Sequence, residues 1–188
     1  MKRIVVFASG SGTNAQNIIE YFQKSDFAEV TLVLSNKKNA KVLERAKNLK
    51  VPSFPFSKED LCDTDKILKD LKNERPDLIV LAGFLLKFPE SILNEFTNKV
   101  INIHPALLPK YGGKGMYGSH VHESIIKNKE TETGITIHFV NKNYDEGAIV
   151  FQKKVSVSEN DTTASVAEKV HKLEYEFFPK VIEEILKK

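Results

Sequence analysis

The run Ile4-Val5-Val6-Phe7-Ala8 does most to limit what this chain can fold into. It is continuously apolar, it stops at Ser9-Gly10-Ser11-Gly12, and a helical pattern begins at Thr13. An alternating strand leaves one face in water, whereas a continuous apolar one must be covered on both, as happens inside a parallel sheet. The rhythm then repeats. Strand-like runs over 30–34, 51–54, 78–82 and 100–103 alternate with helical periodicity over 13–24, 40–49, 60–73 and 89–96. In the first helix Ala15, Ile18, Ile19 and Phe22 fall on one face. After Ile103, residues 104–119 read as a long loop rich in glycine, 121–128 as a helix, and 133–140 and 148–157 as two strands able to pair around 141–147. Residues 163–186 form a long amphipathic helix with a break expected near Pro179. The pattern implies an α/β, three-layer Rossmann-like fold: a mostly parallel sheet of about seven strands with helices on both faces. No repeat, linker or low-complexity tract divides the chain, so one domain over 1–188 is expected.

Composition excludes several classes. With 188 residues, 41% hydrophobic and 28% charged, the chain can bury a full core unaided. A net charge of +3 is far too weak to argue for a nucleic-acid partner. No stretch approaches the ~18 apolar residues of a membrane span, and the N-terminal apolar run is too short for a signal peptide. The lone Cys62 rules out a disulfide framework and a multi-cysteine zinc site, and suits a reducing cytoplasm. His120 and His122 stand two residues apart at a helix start and cannot share a face, so no metal is expected. His138 reads as a core histidine on a strand, His171 as an exposed one on the last helix. Cys62 has no base beside it, and no serine-nucleophile signature is present.

Two segments carry chemistry. Gly10-Ser11-Gly12-Thr13-Asn14-Ala15 joins the first strand to the first helix, where glycines admit close approach and a helix N-terminus offers free N–H groups to a phosphate. The spacing fits a dinucleotide fingerprint loosely, but the second strand ends in Ser35-Asn36-Lys37-Lys38, without the acid a ribose needs. The plainer alternative is a tight turn capped by Thr13. On the first alternative a side chain at Gly12 is expected to collide with the ligand. The second segment is Asn102-Ile103-His104, at the C-terminal edge of the fifth strand, where α/β sheets bind ligands. Alternation sets Asn102 and His104 on one side, an amide and an imidazole able to polarise a carbonyl and move a proton. Asp145 lies in the loop between the last two strands, from which a carboxylate can reach the imidazole. Such a set lacks a protein nucleophile and suits attack by a substrate amine; alternatively, His104 caps a strand and Asp145 shapes a turn.

The order of motifs adds a resemblance. Ser9-Gly-Ser-Gly-Thr-Asn14, Leu81-Ala-Gly-Phe84, Ile101-Asn-Ile-His-Pro-Ala-Leu-Leu-Pro109, Gly134-Ile-Thr-Ile-His-Phe-Val140 and Asp145-Glu-Gly147 together resemble the phosphoribosylglycinamide formyltransferase family of folate-dependent enzymes, from about residue 3 to the final helix. The resemblance implies transfer of a formyl group from 10-formyltetrahydrofolate to the primary amine of glycinamide ribonucleotide in purine biosynthesis. It implies Asn102, His104 and Asp145 as catalytic residues, Gly12, Thr13 and Asn14 as the phosphate loop, and Glu174 as a ribose ligand. Folate is expected between Leu85, Leu86, Lys87 and Phe88 on one side and the loop from Val140 and Asn141 to Gly147 on the other. Asp145 is expected to raise the His104 pKa, and protonated His104 to stabilise the oxyanion. The pattern departs from the family at Leu86, where an arginine is commoner, and in the longer, glycine-rich loop 110–118, a form that suits a lid.

Related readings remain. A methionyl-tRNA formyltransferase carries an RNA-binding domain for which this chain has no room, and a formyltetrahydrofolate hydrolase carries an added N-terminal domain. A phospho-sugar binding module keeps the glycine loop without needing the Asn, His and Asp together. A nicotinamide dehydrogenase lacks its ribose acid here.

Overall fold

A computed structural model describes all 188 residues. Its strands are β1 (Lys2–Phe7), β2 (Ala28–Ser35), β3 (Ser53–Pro55), β4 (Leu78–Leu81), β5 (Val100–His104), β6 (Glu132–Phe139) and β7 (Ile149–Ser156). They form one sheet in the order β3-β2-β1-β4-β5-β6-β7. The first five are parallel, while β6 and β7 run antiparallel to their neighbours. The helices are α1 (Thr13–Phe22), α2 (Lys41–Asn48), α3 (Lys58–Cys62), α4 (Lys66–Glu74), α5 (Glu90–Glu95), α6 (Ser119–Lys127) and α7 (Thr163–Leu186).

The continuous apolar β1 is buried on both faces. Ile4 and Val6 join a core with Ile18 of α1, Val42 of α2, Ile125 of α6 and Phe178 of α7. Val5 and Phe7 point the other way, among Leu61 of α3, Leu71 of α4 and Ile92 of α5. The sheet is therefore a partition between two apolar cores, and each fully buried aliphatic or Phe side chain contributes roughly 1.5–3 kcal/mol. The edge strand β7 is exposed over much of its length, so its apolar positions cover only one side.

Strand order reverses between β1 and β4, since β1 leads outward to β2 and β3 while β4 leads to β5. A crevice opens at such a reversal, outside the carboxyl ends of the strands. The β1–α1 loop, the segment after β4 and the C-terminal end of β5 meet there.

Two helix expectations fail, one for a local reason and one through a contact distant in sequence. The single helix expected over 60–73 is two, α3 and α4, separated by Asp63-Thr64-Asp65. Asp and Thr favour turns over helix interiors, and Asp65 adopts a left-handed φ of 52°. Pro179, by contrast, leaves α7 unbroken. Proline frees the carbonyl four residues earlier, here Tyr175, and the Asn17 amide of α1 donates to it at 2.9 Å. No helix is long and apolar enough to cross a membrane.

Candidate active site

The crevice is a cleft of about 980 Å³ lined by the glycine loop, the residues after β4, the end of β5, loop 113–118, Asp145 and the start of α7. That is the upper end of the volume of a single-ligand pocket.

At one end lies the glycine loop. Gly12, not Thr13, caps α1, with φ of 73° and no side-chain hydrogen bond to the first turn. The N–H groups at the start of α1 therefore have no capping side chain and sit beside the cleft. The expectation that a side chain at Gly12 would strike a ligand needs correction, because a Cβ there runs into Val42 of α2. Glycine is required at this position by helix packing as well as by its φ. Buried Ser9 ties the loop down. Its hydroxyl donates to Asn36 Oδ1 at 2.6 Å and accepts the Leu85 N–H at 2.9 Å, joining the glycine loop to the segment after β4.

Asn102 and His104 both reach the cleft from β5, and Asp145 reaches it from the β6–β7 loop. Asp145 has a left-handed φ of 55° and accepts the Gly113 N–H at 3.0 Å. The sequence assigned His138 to the core; it is buried, but it also stands between the catalytic candidates. It pairs with Asn102 across the β5–β6 register. Its Nδ1 lies 2.9 Å from the Phe139 carbonyl, which only accepts, so Nδ1 carries the proton. Its Nε2 then accepts from Asn102 Nδ2 at 3.2 Å. This fixes the amide's orientation and leaves its second N–H free.

The same logic sets the His104 ring. Nε2 lies 2.7 Å from the Tyr111 carbonyl and donates to it, so in the neutral ring Nδ1 is the free base. Asp145 divides its oxygens between the two imidazoles, Oδ2 at 3.6 Å from His104 Nδ1 and Oδ1 at 3.5 Å from His138 Nε2. Burial would raise the Asp145 pKa, yet the Gly113 N–H, together with the His138 and His104 imidazoles when either carries a proton towards the carboxylate, holds it below the ordinary carboxylate value. For His104 burial is the largest influence and lowers the pKa; Asp145 and the Tyr111 carbonyl oppose it without reversing it. Asp145 thus raises the His104 pKa as expected, but burial outweighs it, and the net shift favours the neutral ring.

Buried Glu174 lies at the glycine-loop end, where it accepts from Asn14 Nδ2 at 2.9 Å and from His171 Nδ1 at 2.9 Å. The Glu174 contact raises the His171 pKa against a smaller opposing effect of burial. His122 of α6, set aside in the sequence, is buried beside this group, and desolvation keeps its pKa low.

The residues expected around folate divide. Phe84 and the half-exposed Leu85 line the cleft. Leu86 packs partly against the second core, Lys87 faces solvent, and Phe88 is buried against Phe7 with ring centroids 5.1 Å apart. Phe88 is therefore core, held there by the aromatic packing below β1. Val140 donates its N–H to Val100, and Asn141 is exposed, its side chain accepting the Asn143 N–H. None of Leu86, Lys87, Phe88, Val140 and Asn141 is among the residues lining the cleft.

The Rossmann-like sheet carries an Asn, a His and an Asp over its switch-point crevice, and the chain belongs to the formyl transferase family, which it matches over residues 2–182. Among its relatives, it is 34% identical to the phosphoribosylglycinamide formyltransferase of Bacillus subtilis, over 99% of this chain and 95% of that one. It is 38% identical to the protein of the same name from Haemophilus influenzae, over 97% of this chain and 86% of that one. The crystal structure of glycinamide ribonucleotide transformylase 1 from Geobacillus kaustophilus superposes with a TM-score of 0.90 at 35% identity, covering 99% of both chains.

Proposed function

We propose that residues 1–188 act as one formyltransferase domain that moves the formyl group of 10-formyltetrahydrofolate to the amine of glycinamide ribonucleotide, a step of de novo purine biosynthesis. The carrying observation is the convergence of Asn102, His104 and Asp145 on the cleft that also holds the glycine loop. Membership of the formyl transferase family supports the same reaction class.

The first turn of α1 and the amides of Gly12, Thr13 and Asn14 take the phosphate. Glu174, oriented by Asn14 and His171, accepts from ribose hydroxyls. Exposed Leu85 and neighbouring Phe84 give the flat ring of the folate an apolar wall. The formyl donor supplies the electrophilic carbonyl. As the amine adds, the free N–H of Asn102 donates to the developing oxyanion. Neutral His104 takes the amine proton on Nδ1, and the imidazolium so formed is stabilised by Asp145 and stands beside the oxyanion. His104 then returns the proton to the departing nitrogen. Charge on His104 thus appears only when the reaction needs it, which a low resting pKa favours. The single cysteine suits the cytoplasm as the location.

The test is tetrahydrofolate release followed by absorbance, with and without glycinamide ribonucleotide. Release that requires the ribonucleotide is expected. Release at the same rate without it would assign a hydrolase instead.

A further inference from the structure

The loop after β5 is held by a small polar network at the sheet's edge. Thr136 of β6 is fully buried and stands opposite His104 in the strand register. Its hydroxyl donates to the Ala106 carbonyl at 2.7 Å and accepts the Leu108 N–H at 3.0 Å. Gln152 reaches in from β7. Its amide donates one hydrogen to Thr136 Oγ1 at 2.9 Å and the other to the Leu108 carbonyl at 3.0 Å. Every donor on these two side-chain groups is used, and both lone pairs of the hydroxyl are filled. Both polar groups of the Leu108 backbone are thereby fixed, three residues before the Tyr111 carbonyl that accepts from His104 Nε2.

We propose that Gln152, on the exposed edge strand, is a positioning residue for catalysis: through Thr136 and Leu108 it holds the Tyr111 carbonyl where it fixes the His104 tautomer. A structural glutamine on a solvent-facing strand needs no partner inside the sheet, yet this one spends one amide hydrogen on the loop that follows the catalytic histidine and the other on the buried Thr136 that holds that loop. The inference rests on the role given to His104 above. The groups facing His104 are Asp145 from the β6–β7 loop, His138 from β6, His122 from α6 and Glu174 from α7, and none of them touches Gln152. A change at Gln152 therefore reaches the ring through Thr136 and the loop it holds, not through a titratable neighbour.

Gln152→Leu and the closer isostere Gln152→Met test this, with Lys154→Ala on the same strand as control. Loosening Tyr111 removes a contact that raises the His104 pKa, so the acid limb of kcat moves to lower pH. The expected result is a fall in kcat of about ten-fold, from a ring no longer held in one tautomer, with KM for both substrates changed less than about three-fold. Wild-type kcat and an unmoved limb in either folded variant overturn the proposal, even if Tm falls, since lost stability alone changes neither. Hydrogen exchange on the unaltered protein is a second arm: the Leu108 amide is expected to be strongly protected, and exchange at the rate of a free loop overturns the clamp. His104→Ala separates this inference from the one beneath it. Activity lost in His104→Ala but retained in Gln152→Leu overturns the clamp alone, while activity retained in His104→Ala overturns the role of the histidine.

Discussion

Asn102 has two N–H groups, and the proposed reaction uses both. One hydrogen goes to His138 Nε2 at 3.2 Å, and the other is free for an oxyanion. Asn102→Asp keeps the shape but sets a carboxylate against both the lone pair of His138 and the developing negative charge. A fall in kcat of about 10²-fold or more is expected, the usual cost of one lost oxyanion donor, with ribonucleotide binding changed much less. Equilibrium binding and single-turnover rates on the same variant check this; collapsed binding with an intact rate would make Asn102 an anchor instead. The acid limb of kcat/KM follows from His104. Because burial holds that ring below the ordinary histidine value near ~6.5, activity should persist below that pH before it falls. The limb reports the His104–Asp145 pair rather than one residue. Asp145→Asn removes a charge that raises the His104 pKa, so it should move the limb still lower while reducing kcat through loss of the imidazolium's counter-ion. A pH–rate profile of both proteins is the measurement.

At the scale of elements, Gly12 and Pro179 each show a local rule being met by a neighbour. Gly12→Ala adds a Cβ that collides with Val42 and requires a left-handed φ, so a loss of about 2 kcal/mol or more is expected in denaturant unfolding. The KM for the ribonucleotide, measured on the folded fraction, then tells whether the loop binds phosphate. Asn17→Ala strips the donor from the Tyr175 carbonyl that Pro179 leaves free, with an expected cost of about 0.5–1.5 kcal/mol. The same pair explains what the sequence made legible. Strands β1 to β5 and their helices announce themselves by local pattern, so the sheet and both its faces follow from the chain alone. Asn102 and His104 are two apart on one strand, and their shared side is equally local. The Asn17–Tyr175 contact joins residues 158 apart, and no window on α7 contains it. His138 was illegible for a related reason. Its apolar neighbours describe a core position, and only the register Asn102↔His138 reveals that it faces the amide. The split of 60–73 was within reach, since Asp-Thr-Asp in the middle of a helical pattern favours turns. Phe88 went the other way, because motif order near the cleft does not say which side chain turns into the core.

Across the whole molecule, the cleft concentrates imidazoles in a fold that otherwise titrates at its surface, and this sets how stability answers to pH. His104 and His122 are buried with pKa values lowered by desolvation, so the unfolded chain binds their protons more readily than the native one. Stability from these two is present above their unfolded value near ~6.5 and declines as pH falls below it, until the native rings protonate too. His171 acts oppositely. Its pKa is raised by Glu174, so its contribution is full below the unfolded value and is lost as pH rises through the native one. It is half-exposed, and solvent screening weakens its share. The two buried rings should therefore dominate, and Tm should begin to fall between about pH 6.5 and 5, before the carboxylates titrate. A second decline belongs to Asp77, Asp145 and Asp161, whose pKa values lie below the ordinary carboxylate range and whose stabilisation is lost as pH drops through them. Calorimetry from pH 8 to 3 on the wild-type protein, His122→Phe and His171→Gln resolves the terms. His122→Phe should flatten the first decline and His171→Gln should steepen it. A first decline of equal slope in all three would mean that the histidine cluster at the glycine-loop end is not what couples the fold to protons, leaving His104 alone to account for it.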